Sequence, residues 1–226
     1  MATVTLDTLR ARVRARADME GSAFVEDHQV SLDAFINGSL DALYDLILKF
    51  HGEDYFLTSE AFVTVASTAT VALPSTFYKM RGIDLVVSGD TYDLKKFNFK
   101  ERNTWKNGVT YNAWDMKYRI VGSTMLLVPT PTAVYSGTFW FHPVRTQMAI
   151  GTDTCAFPNG WEEWAVVHAA IKCKDKEESD ISALVTDLKF ETQRIEEAAS
   201  GRDESEPERV ADIEGLRDYE GGEELS

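Results

Sequence analysis

The chain has 226 residues, of which 44% are hydrophobic and 11% aromatic, and its formal net charge is −14. That is enough apolar material for one domain, or one domain carrying an insertion, while the acidity makes polyanionic surfaces poor targets for the chain as a whole. Two cysteines, Cys155 and Cys173, exclude by number a disulfide framework and a four-thiolate zinc site.

No apolar run approaches the ~18 residues that a membrane span needs. The opening "MATVTLDTLRARVRARAD" has no signal-peptide-like stretch, so export is not expected. Within it, Leu6, Leu9, Val13 and Ala17 fall on one helical stripe, bordered by Arg10, Arg12, Arg14 and Arg16. The arginines have two readings. They can contact an anionic partner, or lay their stems along the apolar seam and pair with acids of the same chain. The net charge favours the second, and all four are kept as candidate partner-binding residues. A longer amphipathic helix follows, with Ser31 as its N-cap and Leu32, Phe35, Ile36, Leu40, Leu43, Ile47 and Phe50 as its apolar face. Gly52 is its stop.

From residue 58 the period changes to two. "EAFVTVASTATVALP" predicts strands near 60–66 and 69–73, turned at "ASTA". "YKMRGIDLVVSGDTYDL" predicts a second pair turned at Ser88-Gly89-Asp90. "KYRIVGSTMLLVP" predicts a hairpin around Gly122-Ser123, and "TAVYSGTFWFHP" a last strand. Between them, residues 95–114 mix Lys95, Lys96, Lys100, Arg102 and Lys106 with Phe97, Phe99, Trp105, Tyr111 and Trp114, and have no clear period. Rings among cations suit single-stranded nucleic acid. A loop packed on the β region or a subunit contact suits them as well, and five cations are a small footprint on so acidic a chain.

Helical spacing returns at Pro158, a first-turn residue. Trp161, Trp164, Val167, Ala170 and Ile171 share one face; Ile181, Leu184, Val185, Leu188, Ile195 and Ala199 share the next. The short link "KDKEES" predicts antiparallel neighbours. The expected fold is α+β: a helical bundle of N- and C-terminal helices (1–57 and 151–201), a central mostly antiparallel β insertion (58–150), and an extended acidic C-terminal tail (202–226). Residues 201–226 carry ten Asp and Glu against three Arg, half of the net charge. Within that polar stretch Val210, Ile213, Leu216 and Tyr219 recur at every third position. Four apolar side chains cannot offset the entropy of ordering the backbone that bears them. The tail therefore needs a partner, and these four are its candidate anchors.

No catalytic constellation is visible. His28, His51, His142 and His168 lack metal-ligand spacing; there is no phosphate loop, nucleophile elbow or HExxH. No enzymatic activity, cofactor or metal is expected. The order of the segments resembles the head-to-tail adaptor (connector, or head-completion) proteins of tailed bacteriophages and related gene-transfer particles. The likeness lies in the leading basic helix, "FINGSLDALYDLILKFHGEDYF", "VALPSTFYKMRGIDL", "MLLVPTP" before "YSGTFWFHPV", the Trp-rich helix "PNGWEEWAVVHAAIKCKDKEESD" and the acidic tail. The resemblance implies a non-catalytic virion protein in the neck. It implies a ring, usually of twelve copies, docked beneath the portal and followed by tail, stopper or nozzle proteins, with genomic DNA passing through the centre. The alternative is a cytosolic, non-enzymatic binding module that uses the β region for a ligand.

Overall fold

Thr5 ends an extended entry and caps the first helix: its Oγ1 accepts the Thr8 amide at 3.2 Å, satisfying one open donor of the first turn. The computed structural model describes residues 3–19, 29–50, 55–107 and 115–199. Strand β1 (Thr3–Thr5) runs into α1 (Leu6–Arg16), and α2 (Gln29–Phe50) follows. Ser31 lies in the first turn of α2 rather than at its cap, since the helix already includes Gln29. Gly52 and the tail anchors Val210, Ile213, Leu216 and Tyr219 lie outside the described residues.

The β region holds β2 (Thr58–Val63), β3 (Thr70–Ala72), β4 (Phe77–Val87), β5 (Asp90–Asp93) and β6 (Lys95–Lys96). A short helix α3 (Arg102–Asn107) precedes β7 (Lys117–Val121), β8 (Thr124–Val128) and β9 (Ser136–Pro143). Two four-stranded sheets result, in the orders β2-β9-β4-β5 and β3-β8-β7-β6. All pairs are antiparallel except β6 with β7. The hairpins at 88–90 and 122–123 form as expected. Ser88 and Gly89 both take positive φ, 55° and 96°, which a two-residue hairpin loop requires.

The strands on either side of "ASTA" do not pair with each other. The chain instead turns a corner from one sheet to the other: β2 joins β9, and β3 joins β8. This lets both sheets turn apolar faces to one core. Ile83, Leu85, Phe139 and Phe141 from the first sheet meet Tyr118, Met125 and Leu127 from the second, each nearly free of solvent.

The helices have a separate core. Helices α4 (Glu162–Lys176) and α5 (Ser182–Ala199) return to pack with α1 and α2. Helix α4 touches all three of the others. It is buried over more than the one face read from periodicity: Trp164, Ala165, Val166, Val167, Ala169, Ala170 and Cys173 are all inside. A last strand, β10 (Thr154–Ala156), was not foreseen. It pairs with β1, with Val4 opposite Cys155, and ties the start of the chain to the entrance of α4. The architecture is α+β, with terminal helices packed together and antiparallel sheets between them.

Gly137 marks the tightest point of the first sheet. It lies on the central strand β9, opposite Phe62 on one side and Leu85 on the other. Phe62 lays its ring over the glycine and stacks on Phe139 at 4.2 Å between centroids. A Cβ at 137 collides with the Phe62 ring and the Asp84 carbonyl. Gly137→Ala is expected to lower stability by about 1–3 kcal/mol in urea unfolding, whereas Gly82→Ala, which meets nothing within 4 Å, is expected to leave it nearly unchanged.

Candidate assembly interface

The arginines that border α1 face the other helices of the body. Arg10 holds Asp33 of α2 in a two-pronged bond, Nε and Nη2 each 2.7 Å from a carboxylate oxygen, while Nη1 reaches Asp7 at 2.6 Å. Arg12 spans Glu162 and Glu163 at the start of α4, at 3.3 and 2.6 Å. Arg16 reaches Asp187 of α5 at 2.6 Å. Arg14 differs: its Nε is buried without a hydrogen-bond partner among the described residues. One basic border thus links α1 to each of the three helices. The pairs also stabilise the Arg10 cation, whose pKa lies above the ordinary arginine value, chiefly through the hydrogen bond to Asp33.

A second polar cluster joins the helical body to the first sheet. Where β9 ends, Tyr44 donates to the Pro143 carbonyl at 2.7 Å and Tyr78 to Asp45 at 2.7 Å. Arg145 Nε and Gln147 Nε2 both donate to Asp41, at 2.7 and 2.9 Å. Asn37 exchanges two bonds with the backbone of Met148, at 2.8 and 3.0 Å. Asp41, Tyr44, Asp45, Tyr78, Arg145 and Gln147 line an open cleft of about 130 Å³, with Val144 as its apolar wall. Its hydrogen-bonding groups are largely spent on one another, so it is a joint more than a receptor.

The aromatic-basic segment divides in two. Phe97 is buried, while Phe99 is 42% exposed. The Arg102 and Arg119 guanidiniums lie 4.6 and 5.5 Å from the centre of the Phe99 ring. The side chains of Trp105, Lys106, Tyr111 and Trp114 lie outside the described residues.

No three His, Cys, Asp or Glu side chains converge among the described residues. Burial pushes the Cys173 thiol from 9.0 up to about 11 and also raises Cys155, which keeps both protonated and unreactive near neutrality. Burial and the neighbouring Lys172 lower the pKa of His168, holding its imidazole neutral. Among the described residues no helix is long and apolar enough to cross a membrane.

The sequence matches the family model of the SU10 adaptor protein over residues 4–211, from β1 through both sheets and the helical body to just past Val210. The chain belongs to the SU10 adaptor protein family, a family of phage head-tail adaptors. Membership makes it a structural protein of phage virions that binds other virion components. No curated protein matches the sequence.

Two expectations follow. Arg10 and Asp33 side chains are only 11% and 21% exposed, whereas Arg16 and Asp187 are 41% and 49% exposed. Arg10→Ala is expected to cost about 2–3 kcal/mol, because it strands a part-buried carboxylate, and Arg16→Ala less than about 1 kcal/mol, both read by urea unfolding. Alkali is the second lever. The fold raises Cys173 from 9.0 to about 11 and Tyr44 from 10.0 to about 12, both mainly by burial. Each group's stabilisation is therefore complete below its unfolded value and is lost as pH rises towards the folded one. The urea midpoint is expected to fall between pH 9 and 12, and Tyr44→Phe to flatten the upper part of that fall.

Proposed function

We propose that the protein is the ring-forming adaptor between the phage head and its tail. Copies of the chain, twelve in the expected ring, dock beneath the portal, continue the DNA channel, and receive the tail, stopper or nozzle proteins below. The genome passes through without sequence-specific contact, and the working location is the neck of the virion. The observation that carries this reading is the family match across residues 4–211, which spans almost the whole chain.

Two physical features support it. The helical body is cross-linked by ion pairs from one helix to three others, and a body that rigid suits a part that transmits load. The acidic tail has apolar residues at every third position and cannot order itself unaided. A groove or sheet edge on the portal supplies both the apolar contact and the hydrogen bonds, and many tails held in one ring add avidity. In this reading residues 1–57 and 151–201 form the body, 58–150 a β insertion, and 202–226 the portal-binding segment. Val210, Ile213, Leu216 and Tyr219 are the anchors. Arg10, Arg12 and Arg16 serve the partner indirectly, by holding the body that presents the tail.

The test is a pull-down with the portal protein of the same phage, using the intact chain, a chain ending at Arg202, and a chain with Val210, Ile213, Leu216 and Tyr219 all changed to alanine. The intact chain is expected to be captured and both variants lost, with melting temperatures within about 2 °C of the intact chain. Native affinity in both variants removes the tail from the docking mechanism. Electron microscopy of the captured complex counts the copies.

A further inference from the structure

Cations serve two different purposes in this molecule. In the helical body Arg10, Arg12 and Arg16 are committed to carboxylates and bridge between helices. At the edge of the second sheet Lys95, Lys96 and Lys100 are not. Residues 95–119 hold seven Lys and Arg against two Asp and Glu, leaving 16 against 35 for the rest of the chain. The segment is therefore +5 on a molecule that is otherwise −19.

The geometry concentrates that charge. β6 is an edge strand, and its Lys95 lies opposite Lys117 of β7, although like charges placed opposite each other oppose strand pairing. Lys95, Lys96 and Lys100 are exposed, and among the described residues none of them makes an ion pair. Beside them, Arg102 and Arg119 are pinned to the backbone, donating to the carbonyls of Phe99 and Phe97 at 3.2 and 3.3 Å. Their planes flank the half-exposed Phe99 ring. The result is a cationic edge with one apolar step in it, on which Lys95, Lys96 and Lys100 are paired with no carboxylate of the described residues.

We propose that this edge is the resting seat of the chain's own acidic segment, residues 203–224. That segment has ten Asp and Glu, two Arg, and the apolar residues Val210, Ile213, Leu216 and Tyr219. Its acids match Lys95, Lys96, Lys100, Arg102 and Arg119, and one of its apolar side chains covers Phe99. Reach is no obstacle. The 26 residues from 201 to 226 extend at most about 85–95 Å, against a radius of gyration of about 17 Å for a folded body of this size. Tethering also favours this occupant over a free polyanion. A linked segment sees its site at roughly millimolar effective concentration, whereas a nucleic acid must approach a chain of net charge −14. The inference concerns the isolated chain and does not depend on the portal reading; if the segment also binds the portal, docking withdraws it from this seat.

The experiment is zero-length carbodiimide cross-linking of the full chain with no partner present, mapped by mass spectrometry. Lys95, Lys96 and Lys100 are expected to link to carboxylates of residues 203–224. The yield is expected to fall about fivefold in 1 M NaCl, where the screening length is near 3 Å. In a mixture of isotopically light and heavy chains the links stay within one isotope. In a chain carrying Lys95→Gln, Lys96→Gln and Lys100→Gln, cleavage by a Glu-specific protease between Glu204 and Glu224 is expected to speed up severalfold. Links spread evenly over exposed lysines such as Lys49, Lys79 and Lys189 overturn the proposal, as do links between isotopes or an unchanged cleavage rate. So does a labelled DNA duplex that shields the three lysines of a full chain showing no tail links, which assigns the edge to nucleic acid.

Discussion

The constraint on which the rest of the structure depends is the enclosure of helix α4. Trp164, Val167 and Ala170 share one face, but Ala165 and Ala169 lie on another and are buried too. A helix that is apolar on most of its surface needs several partners. α1, α2 and α5 supply them, and small alanines on α4 leave room for their side chains. Once α1 and α2 from one end of the chain are committed to α4 and α5 from the other, the intervening residues have to leave the helical body and return. The β region is that excursion. Its two sheets cannot share the helical core, so they build their own from Phe139, Phe141, Ile83 and Leu127.

Two cores in one chain raise the question of what orients one against the other. The joint is mostly polar. Asp41 and Asn37 on α2 take hydrogen bonds from Arg145, Gln147 and the Met148 amide, while Tyr44 and Tyr78 bind Pro143 and Asp45. Directional bonds define an angle more sharply than apolar contact does. These bonds, with the Tyr44 and Tyr78 rings 6.3 Å apart beside them, hold the helical body and the sheets in a fixed relation.

Charge placement is the third theme. A chain of net charge −14 repels other polyanions, its own copies included. Here Arg10, Arg12 and Arg16 of α1 are placed where they neutralise acids of neighbouring helices, which quiets the charge inside the body. Lys95, Lys96 and Lys100, which have no ion pair among the described residues, sit together at one sheet edge, and the densest acids lie at the far end of the chain.

Periodicity alone determined the four long helices, because burying one face of a helix or one face of a strand writes a period of 3.6 or 2 into the sequence. The stripe Leu6, Leu9, Val13, Ala17 and the alternation Ile83, Leu85, Val87 were legible for that reason. The turns at Gly89 and Gly122 were legible because positive φ selects its residues. Composition likewise exposed the acidic stretch at 201–226 and the regular spacing of Val210, Ile213, Leu216 and Tyr219 within it. Other features were not written locally. Nothing in "TVT" or "TCA" signals that β1 and β10 pair, since three-residue strands carry too little period to read and their pairing spans almost the whole distance between the two ends of the body. The corner between β2 and β3 resembles a hairpin until both sheets need one core. The basic border of α1 is compatible with either an external anion or an internal carboxylate. Only the packing of α1 against α2, α4 and α5 brought Asp33, Glu162 and Asp187 within reach of Arg10, Arg12 and Arg16. Ion pairing depends on distance in space, and that is a property of the tertiary fold.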